Sequence, residues 1–335
     1  MKQTFRRFFA LALALLTAFP FFALSCGTES KQTATSLDFF DTVTTLTVRG
    51  PDADAFAALR DEVFAELTLC HKLFDIYNEY EGMTNLASVN RLAGGEPLRV
   101  DERITELLSR SLSYGEQTDG AFSVTMGAVL RLWHEAREET KLPPDAEALG
   151  EAAKHCGDDL LELDENAGTV RLTDPLASLD VGAIAKGYAA ARALEILRAA
   201  GVKNALLNLG GTVCTVGGDF RIGLQDPRTP ENYLRVVTLT DRCAVTSGDY
   251  ERCFFCEGVR YHHIVDPATL FPSVHASSVT VLGDDPCLGD ALSTALFCME
   301  PEAALALVRE HFPGQTLLIV SPDGELFTDD PEVFK

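Results

Sequence analysis

The sequence predicts an α+β fold, mixed and antiparallel sheets with packed helices, on three observations. Between Leu160 and Gly223, short β-type runs surround one Ala-rich helical stretch. A second group of short strands follows with no helix among them, and two helical stretches then come back to back. Strands and helices never settle into the regular alternation of a doubly wound sheet, and no solenoid-length repeat is present.

The first strand is read over Leu37–Val48, where Val43, Leu46 and Val48 stand among threonines. Helical spacing of Phe56, Leu59, Val63, Phe64, Leu67 and Leu73 predicts a helix over Asp52–Asp75. A turn-rich stretch, Tyr77 to Gly82, leads toward Gly94-Gly95. A second helix spans Asp101–Thr118, capped by Asp101, with Ile104, Leu107, Leu108 and Leu112 on one face. A third covers Val124–Glu138 and ends before Pro143-Pro144. Strands follow at Thr169–Thr173, Ala205–Leu209, Thr212–Val216 and Phe220–Leu224, around the helix Ala183–Ala200. Further strands are Arg235–Thr240, Cys243–Thr246, Arg252–Cys256, Tyr261–Val265 and Ser278–Leu282. Helices Gly289–Met299 and Glu302–His311 and a strand at Thr316–Val320 close the chain.

The N-terminus reads as an export signal: Lys2, Arg6 and Arg7 precede an apolar stretch from Phe8 to Leu24. Ala23-Leu24-Ser25-Cys26 followed by a polar run to Ser36 looks like a bacterial lipoprotein cleavage site. The domain plan is therefore a signal over 1–26, a tether over 27–36 and one domain over 37–335. The expected location is exported, held to the outer face of the cytoplasmic membrane through lipidated Cys26. A net charge of −22 with no basic run excludes a nucleic-acid partner. Any anionic ligand must then be held by local cations, backbone amides and metal ions. Of nine cysteines, the eight after Cys26 are scattered, several in apolar runs, and read as buried free thiols. Cys253-Phe-Phe-Cys256 is a lone CxxC in a strand-like run, whose alternation sends the two thiols to opposite faces.

Three segments carry chemistry. In Asp180-Val-Gly-Ala-Ile-Ala-Lys186, a strand end and a glycine turn lead into a helix start, whose amides attract phosphate and whose turn carbonyls can ligate a cation. Asp180 as a simple helix cap is the competing explanation. Gly289-Asp290 opening a helix, with Thr294 one turn on, offers a carboxylate and a hydroxyl on one face for a hard divalent ion. Asp290 capping that helix, with Thr294 bonding back to its own turn, explains the same spacing. His263, before Ile264-Val265-Asp266-Pro267, is the residue type that takes a proton from a hydroxyl near neutral pH. His262 would face the other way.

These segments, with Phe40-Asp41-Thr42-Val43, Thr118-Asp-Gly-Ala-Phe122, Asn208-Leu-Gly-Gly211 and Thr246-Ser-Gly-Asp-Tyr-Glu-Arg252, resemble successive signatures of the ApbE family. The resemblance runs in order from about Leu37 to the C-terminus. It implies a T-fold-like architecture and an FAD:protein FMN transferase. Such an enzyme cleaves FAD with Mg2+, attaches FMN by a phosphoester to Ser or Thr of an acceptor flavoprotein, and releases AMP. Asp290 and Thr294 would then ligate the metal with the Ala183 carbonyl. Asp180, Lys186, Ile264 and the Ala121-Phe122-Ser123 segment would contact FAD, with Phe40 and Tyr77 lining the flavin or adenine region. His263 would be the general base or would position the acceptor hydroxyl. Ser123 stands where many relatives have Asp, and Leu270 where Gly is common. An FAD pyrophosphatase, or a lipoprotein that binds FAD without turnover, are the alternatives.

Overall fold

An eight-stranded antiparallel sheet organises the computed structural model, which describes residues 30–335. Its strands are β1 (Lys31–Phe39), β2 (Thr42–Arg49), β6 (Ala205–Leu209), β7 (Thr212–Val216), β10 (Cys243–Gly248), β13 (Ser278–Gly283), β14 (Thr316–Val320) and β15 (Leu326–Thr328), side by side in that order. The predicted α+β class with antiparallel sheets holds. The signal segment and Cys26 lie outside the described residues.

The start of the domain differs from expectation. Residues 31–36, read as tether, form most of β1 and pair with β2, Lys31 opposite Arg49 and Ser36 opposite Thr44. The single strand read over Leu37–Val48 is a hairpin broken at Phe40-Asp41. A polar, Thr-rich sequence makes a good edge strand because one face and one edge stay in water, so it carries no apolar pattern to read.

Alternation within the strands divides the core. Val245, Val281, Leu317 and Ile319 face the helices, while Ala244, Leu282 and Leu318 face a separate hairpin, β8 (Phe220–Gln225) with β9 (Tyr233–Leu239). Helix α6 (Ala185–Ala199) packs on β6 and β7, and α7 (Pro286–Phe297) on β10 and β13. Helix α1 (Ala53–Leu73) packs against α6 and β1, and α8 (Pro301–His311) against β14. Burial on both faces is why Thr-Leu-Leu-Ile-Val of β14 reads as a continuous apolar run. Each fully buried Leu there contributes about 1.5–3 kcal/mol by leaving water.

Smaller elements complete the frame. They are α2 (Leu86–Arg91), a three-stranded sheet of β3 (Leu98–Arg99), β5 (Thr169–Leu172) and β4 (Leu161–Asp164), α3 (Glu102–Gln117), α4 (Gly127–Glu135) and α5 (Ala146–Ala153). The hairpin β11 (Cys253–Cys256) with β12 (Val259–His262) packs Phe254 and Tyr261 against Trp133 of α4. The helix read over Val124–Glu138 starts later than expected. Val124 lies in a bend outside the helix and accepts the Asp180 N–H at 2.9 Å, while Gly127 N–H donates to Ser178 O at 3.0 Å. Past Glu135 the helix widens into a π turn over Ala136–Thr140. All eight described cysteines are free thiols, five of them buried.

Candidate active site

All the residues predicted for the site border one cavity of about 750 Å3: Phe40, Tyr77, Ala121, Phe122, Ser123, Asp180, Ala183, Lys186, His263, Ile264, Asp290 and Thr294. The volume lies within the usual range for small-molecule sites. Distant segments meet there for identifiable reasons. The Val124–Asp180 backbone bond sets Ala121–Ser123 beside the loop that enters α6. The segment just before it is an irregular stretch rather than the expected strand end, and Asn90 fixes it, its side chain accepting Leu179 N–H at 2.7 Å and donating to Leu179 O at 2.9 Å.

Asp290 is neither a helix cap nor the first residue of its helix. Asp285 caps α7, accepting from Cys287 N–H, with Pro286 in the first turn, so Asp290 sits in the second turn facing α6. It is buried, and its Oδ2 accepts the Gly187 N–H at 2.8 Å. Lys186 Nζ lies 3.4 Å from both of its oxygens. Gly187 makes this approach possible: a Cβ there would collide with the Pro286 carbonyl and the Asp290 side chain. Thr294, one turn on, reaches Ser247 Oγ of β10 at 3.4 Å, and Ser247 also meets Ser293 at 2.8 Å. The Thr294 hydroxyl does not bond back to its own helix. Asp180 likewise does not cap α6. Its carboxylate accepts Gly182 N–H at 2.8 Å and holds the turn that presents Ala183. Cavity walls desolvate that carboxyl and raise its pKa, against the opposing pull of Gly182 N–H, Arg252, His134 and Arg137.

The two histidines diverge as a strand end requires. His262 is buried against Phe297, Nε2–H donating to Ser273 O at 2.9 Å while Nδ1 accepts Ile264 N–H at 3.2 Å. That pair of bonds fixes a neutral ring and the backbone beside it. His263 turns to the cavity, and its enclosed Nδ1 has no hydrogen-bond partner among the described residues. Burial, then the charges of Arg252, His262 and Lys186, pull its pKa down to about 3. Asp266 does cap the following turn, accepting Ala268 N–H at 2.8 Å. Leu270 closes that turn with φ 64°, a left-handed conformation that explains why glycine suits the position. Ser123 donates into a small network with Thr125 at 2.9 Å and Asp158 at 3.4 Å.

Other cavity residues were not assigned to the site from the sequence, although Arg252 closes one of the quoted segments. Tyr77 lies against His134 with the rings tilted by 32° and their centres 5.0 Å apart, and His134 Nδ1 also meets Arg137 Nη2 at 2.9 Å. His134 and Arg137 sit on a helix with polar spacing, which reads as a solvated face. His71 of α1 accepts the Phe40 N–H at 3.2 Å, and Arg252 approaches Phe40 O at 3.5 Å. Ile222 to Gln225 of β8 form another wall.

The site thus combines an aromatic-lined cavity, the buried Asp290 carboxylate with Lys186 beside it, the Thr294 hydroxyl one turn on, and a His263 Nδ1 with no partner among the described residues. The sequence profile of the ApbE family matches residues 40–319. The chain belongs to the ApbE family. Among ApbE relatives, the FAD:protein FMN transferase of Treponema pallidum is 37% identical over 82% of this chain and 79% of its own. One from Klebsiella pneumoniae is 33% identical over 72% and 79%. The crystal structure of the ApbE protein of Thermotoga maritima superposes with TM-score 0.81 at 29% identity, covering 90% of this chain and 98% of that one. The apo flavinyl transferase ApbE of Pseudomonas stutzeri gives 0.77 at 26%, covering 91% and 97%.

Proposed function

We propose that this ApbE protein is an FAD:protein FMN transferase, moving FMN from FAD to a Ser or Thr hydroxyl of an acceptor flavoprotein. The observation that carries the reading is the buried Asp290, held by Gly187 N–H with Lys186 beside it, on the cavity that also receives Thr294 and His263. The Asp290 carboxylate, Thr294 hydroxyl and Ala183 carbonyl are the oxygen donors that a hard divalent ion such as Mg2+ takes. They fit it in kind, since Lys186 is the cation that now balances the buried carboxylate. Once bound, such an ion neutralises charge on the pyrophosphate.

The chain's own groups supply the rest. The acceptor oxygen attacks the FMN-side phosphorus, a new P–O bond forms, and the pyrophosphate bridge breaks with AMP leaving. His263 Nδ1, now an unpaired acceptor, takes the hydroxyl proton. Burial, and after it the charges of Arg252 and Lys186, keeps its basicity low in the free protein. A bound pyrophosphate would pair with those cations and relieve their part of that depression. Lys186 then stabilises the charge that develops on oxygen. Phe40 and Tyr77 provide flat surfaces for the ring systems, and Asp180, Ile264 and Ala121–Ser123 line the path between. We further propose that the protein is exported and lipidated at Cys26. Moving the protein to the soluble fraction by Cys26→Ala tests that.

The function is tested by incubating residues 27–335 with FAD and Mg2+, with and without a Thr-bearing acceptor domain. An acceptor heavier by one FMN group with AMP released supports the transferase. FMN and AMP free in solution, with every acceptor unmodified, would make it a pyrophosphatase. Intact FAD throughout would make it a carrier.

A further inference from the structure

One hairpin walls the cavity, a second is flanked by residues that line it, and one buried carboxylate outside the cavity holds both. Ile222 to Gln225 of β8 line one side, and the hairpin β11–β12 runs between the lining residues Tyr250–Arg252 and His263. Neither hairpin belongs to the eight-stranded sheet; each forms its own two-stranded sheet. Asp249, one residue past the end of β10, is buried and is not a lining residue. Arg228, from the loop between β8 and β9, grips it with two bonds, Nη1 to Oδ1 at 2.8 Å and Nη2 to Oδ2 at 2.9 Å. Arg260 of β12 adds Nη1 to Oδ1 at 3.1 Å.

The same point is tied to the sheet. Asp249 N–H donates to Ser277 O at 3.0 Å, and Arg228 Nη2 donates to Ser277 Oγ at 2.6 Å. Ser277, fully buried, donates onward to Val320 O through its N–H and to Ser321 O through its hydroxyl, beside the end of β14. The chain distances from this knot to the chemistry are short. Ser247, two residues before Asp249, meets Thr294, and His263 follows Arg260 by three residues. A carboxylate shared between two guanidiniums suits Arg, whose planar fork fixes direction as well as distance.

We propose that Asp249 is a positioning residue for the transfer step: by holding Arg228 and Arg260 at once it locks both hairpins to the sheet, and with them the placement of the lining residues beside them, His263 among them. The proposal rests on the transferase reading for its kinetic consequence and on the ion-pair geometry for its mechanical one. Asp249→Asn keeps the size of the side chain and removes the charge both arginines share. Both hairpins then lose the shared carboxylate, although Arg228 keeps its bond to Ser277 Oγ and the core clusters beneath them remain.

The test uses the full chain with Asp249→Asn, Arg228→Ala, Arg260→Ala and the triple variant. Amide hydrogen exchange should speed at least tenfold in both hairpins of Asp249→Asn. It should speed only in β8–β9 for Arg228→Ala and only in β11–β12 for Arg260→Ala. The kcat for FMN transfer should fall tenfold or more in Asp249→Asn, with KM for FAD within threefold, and the triple variant should be no worse. Exchange unchanged, or raised in one hairpin alone in Asp249→Asn, overturns the proposal. So does parallel loss of kcat and FAD affinity together with Tm, which marks a merely structural residue. If Asp249→Asn does not fold, the two arginine variants still decide whether each hairpin is tied separately to that carboxylate. Exchange needs no turnover, so a wild-type protein that leaves FAD intact would sink the transferase reading while the hairpin result stands by itself.

Discussion

Asp290 and His263 place opposite demands on the same few ångströms. Asp290 is a buried carboxylate stabilised by one backbone donor and one lysine, and removing its charge leaves Lys186 facing the cavity alone. Asp290→Asn should therefore lower kcat by on the order of a hundredfold or more while FAD affinity changes far less, because the divalent ion it would help hold acts on charge that grows in the transition state. Equal losses in a paired kinetic and binding measurement would remove that division of roles. For His263, burial sets the folded pKa at about 3 against an ordinary 6.5. As pH falls the unfolded chain takes up this proton first, so the stability His263 contributes is complete above pH 6.5 and drains away toward pH 3. Denaturation at pH 7 and pH 5 should show the wild type losing about 1–2 kcal/mol more than His263→Gln. Identical slopes would place the imidazole in water. Both residues were legible in the sequence as types. That Asp290 is held by Gly187 was not, since the contact joins residues on two helices through a missing side chain.

Elements were readable in proportion to how local their causes are. The strands Ala205–Leu209, Thr212–Val216 and Thr316–Val320 lie where their apolar runs and flanking turns put them. Helix α7 begins at Pro286 rather than Gly289, although Asp285-Pro286 carries the capping signal. β1 escaped because an edge strand needs no apolar pattern, and α4 started late because Val124 pairs with a segment far along the chain. The hairpin turns show a further contrast. In β11–β12 the two turn residues, Glu257 at φ 49° and Gly258 at φ 82°, take the left-handed region that suits a two-residue hairpin. Glu257 is exposed at the tip, so Glu257→Asn should raise stability by roughly 0.5 kcal/mol. A urea midpoint that moves up with unchanged slope is the expected result; no movement would mean the turn is already relaxed. In β1–β2 the equivalent positions are Phe40 at φ 52° and Asp41 at φ 54°, with no glycine at all.

The whole molecule carries −22 at neutral pH, while Lys186, Arg252 and Arg137 gather on the cavity. An anionic nucleotide is thus repelled at long range and held at short range. Raising salt from about 10 to 150 mM shortens the screening length from roughly 30 to 8 Å and removes mainly the long-range part. The kcat/KM for FAD should accordingly rise by about twofold or more over that interval. A steady fall would show that the cavity cations govern approach as well as binding. The Phe40-Asp41 turn belongs at this scale too, because it sets what the molecule can afford to improve. Two neighbouring non-glycine residues in the left-handed region are a standing cost, and Asn-Gly would fold more readily in their place. Selection for thermal tolerance alone, in the laboratory or in a lineage that no longer uses the cavity, would drift toward that exchange. The hardier descendants would then be the ones that had lost the aromatic wall. Persistence of Phe at position 40 among evolving copies is therefore a readout of whether the site is still under use.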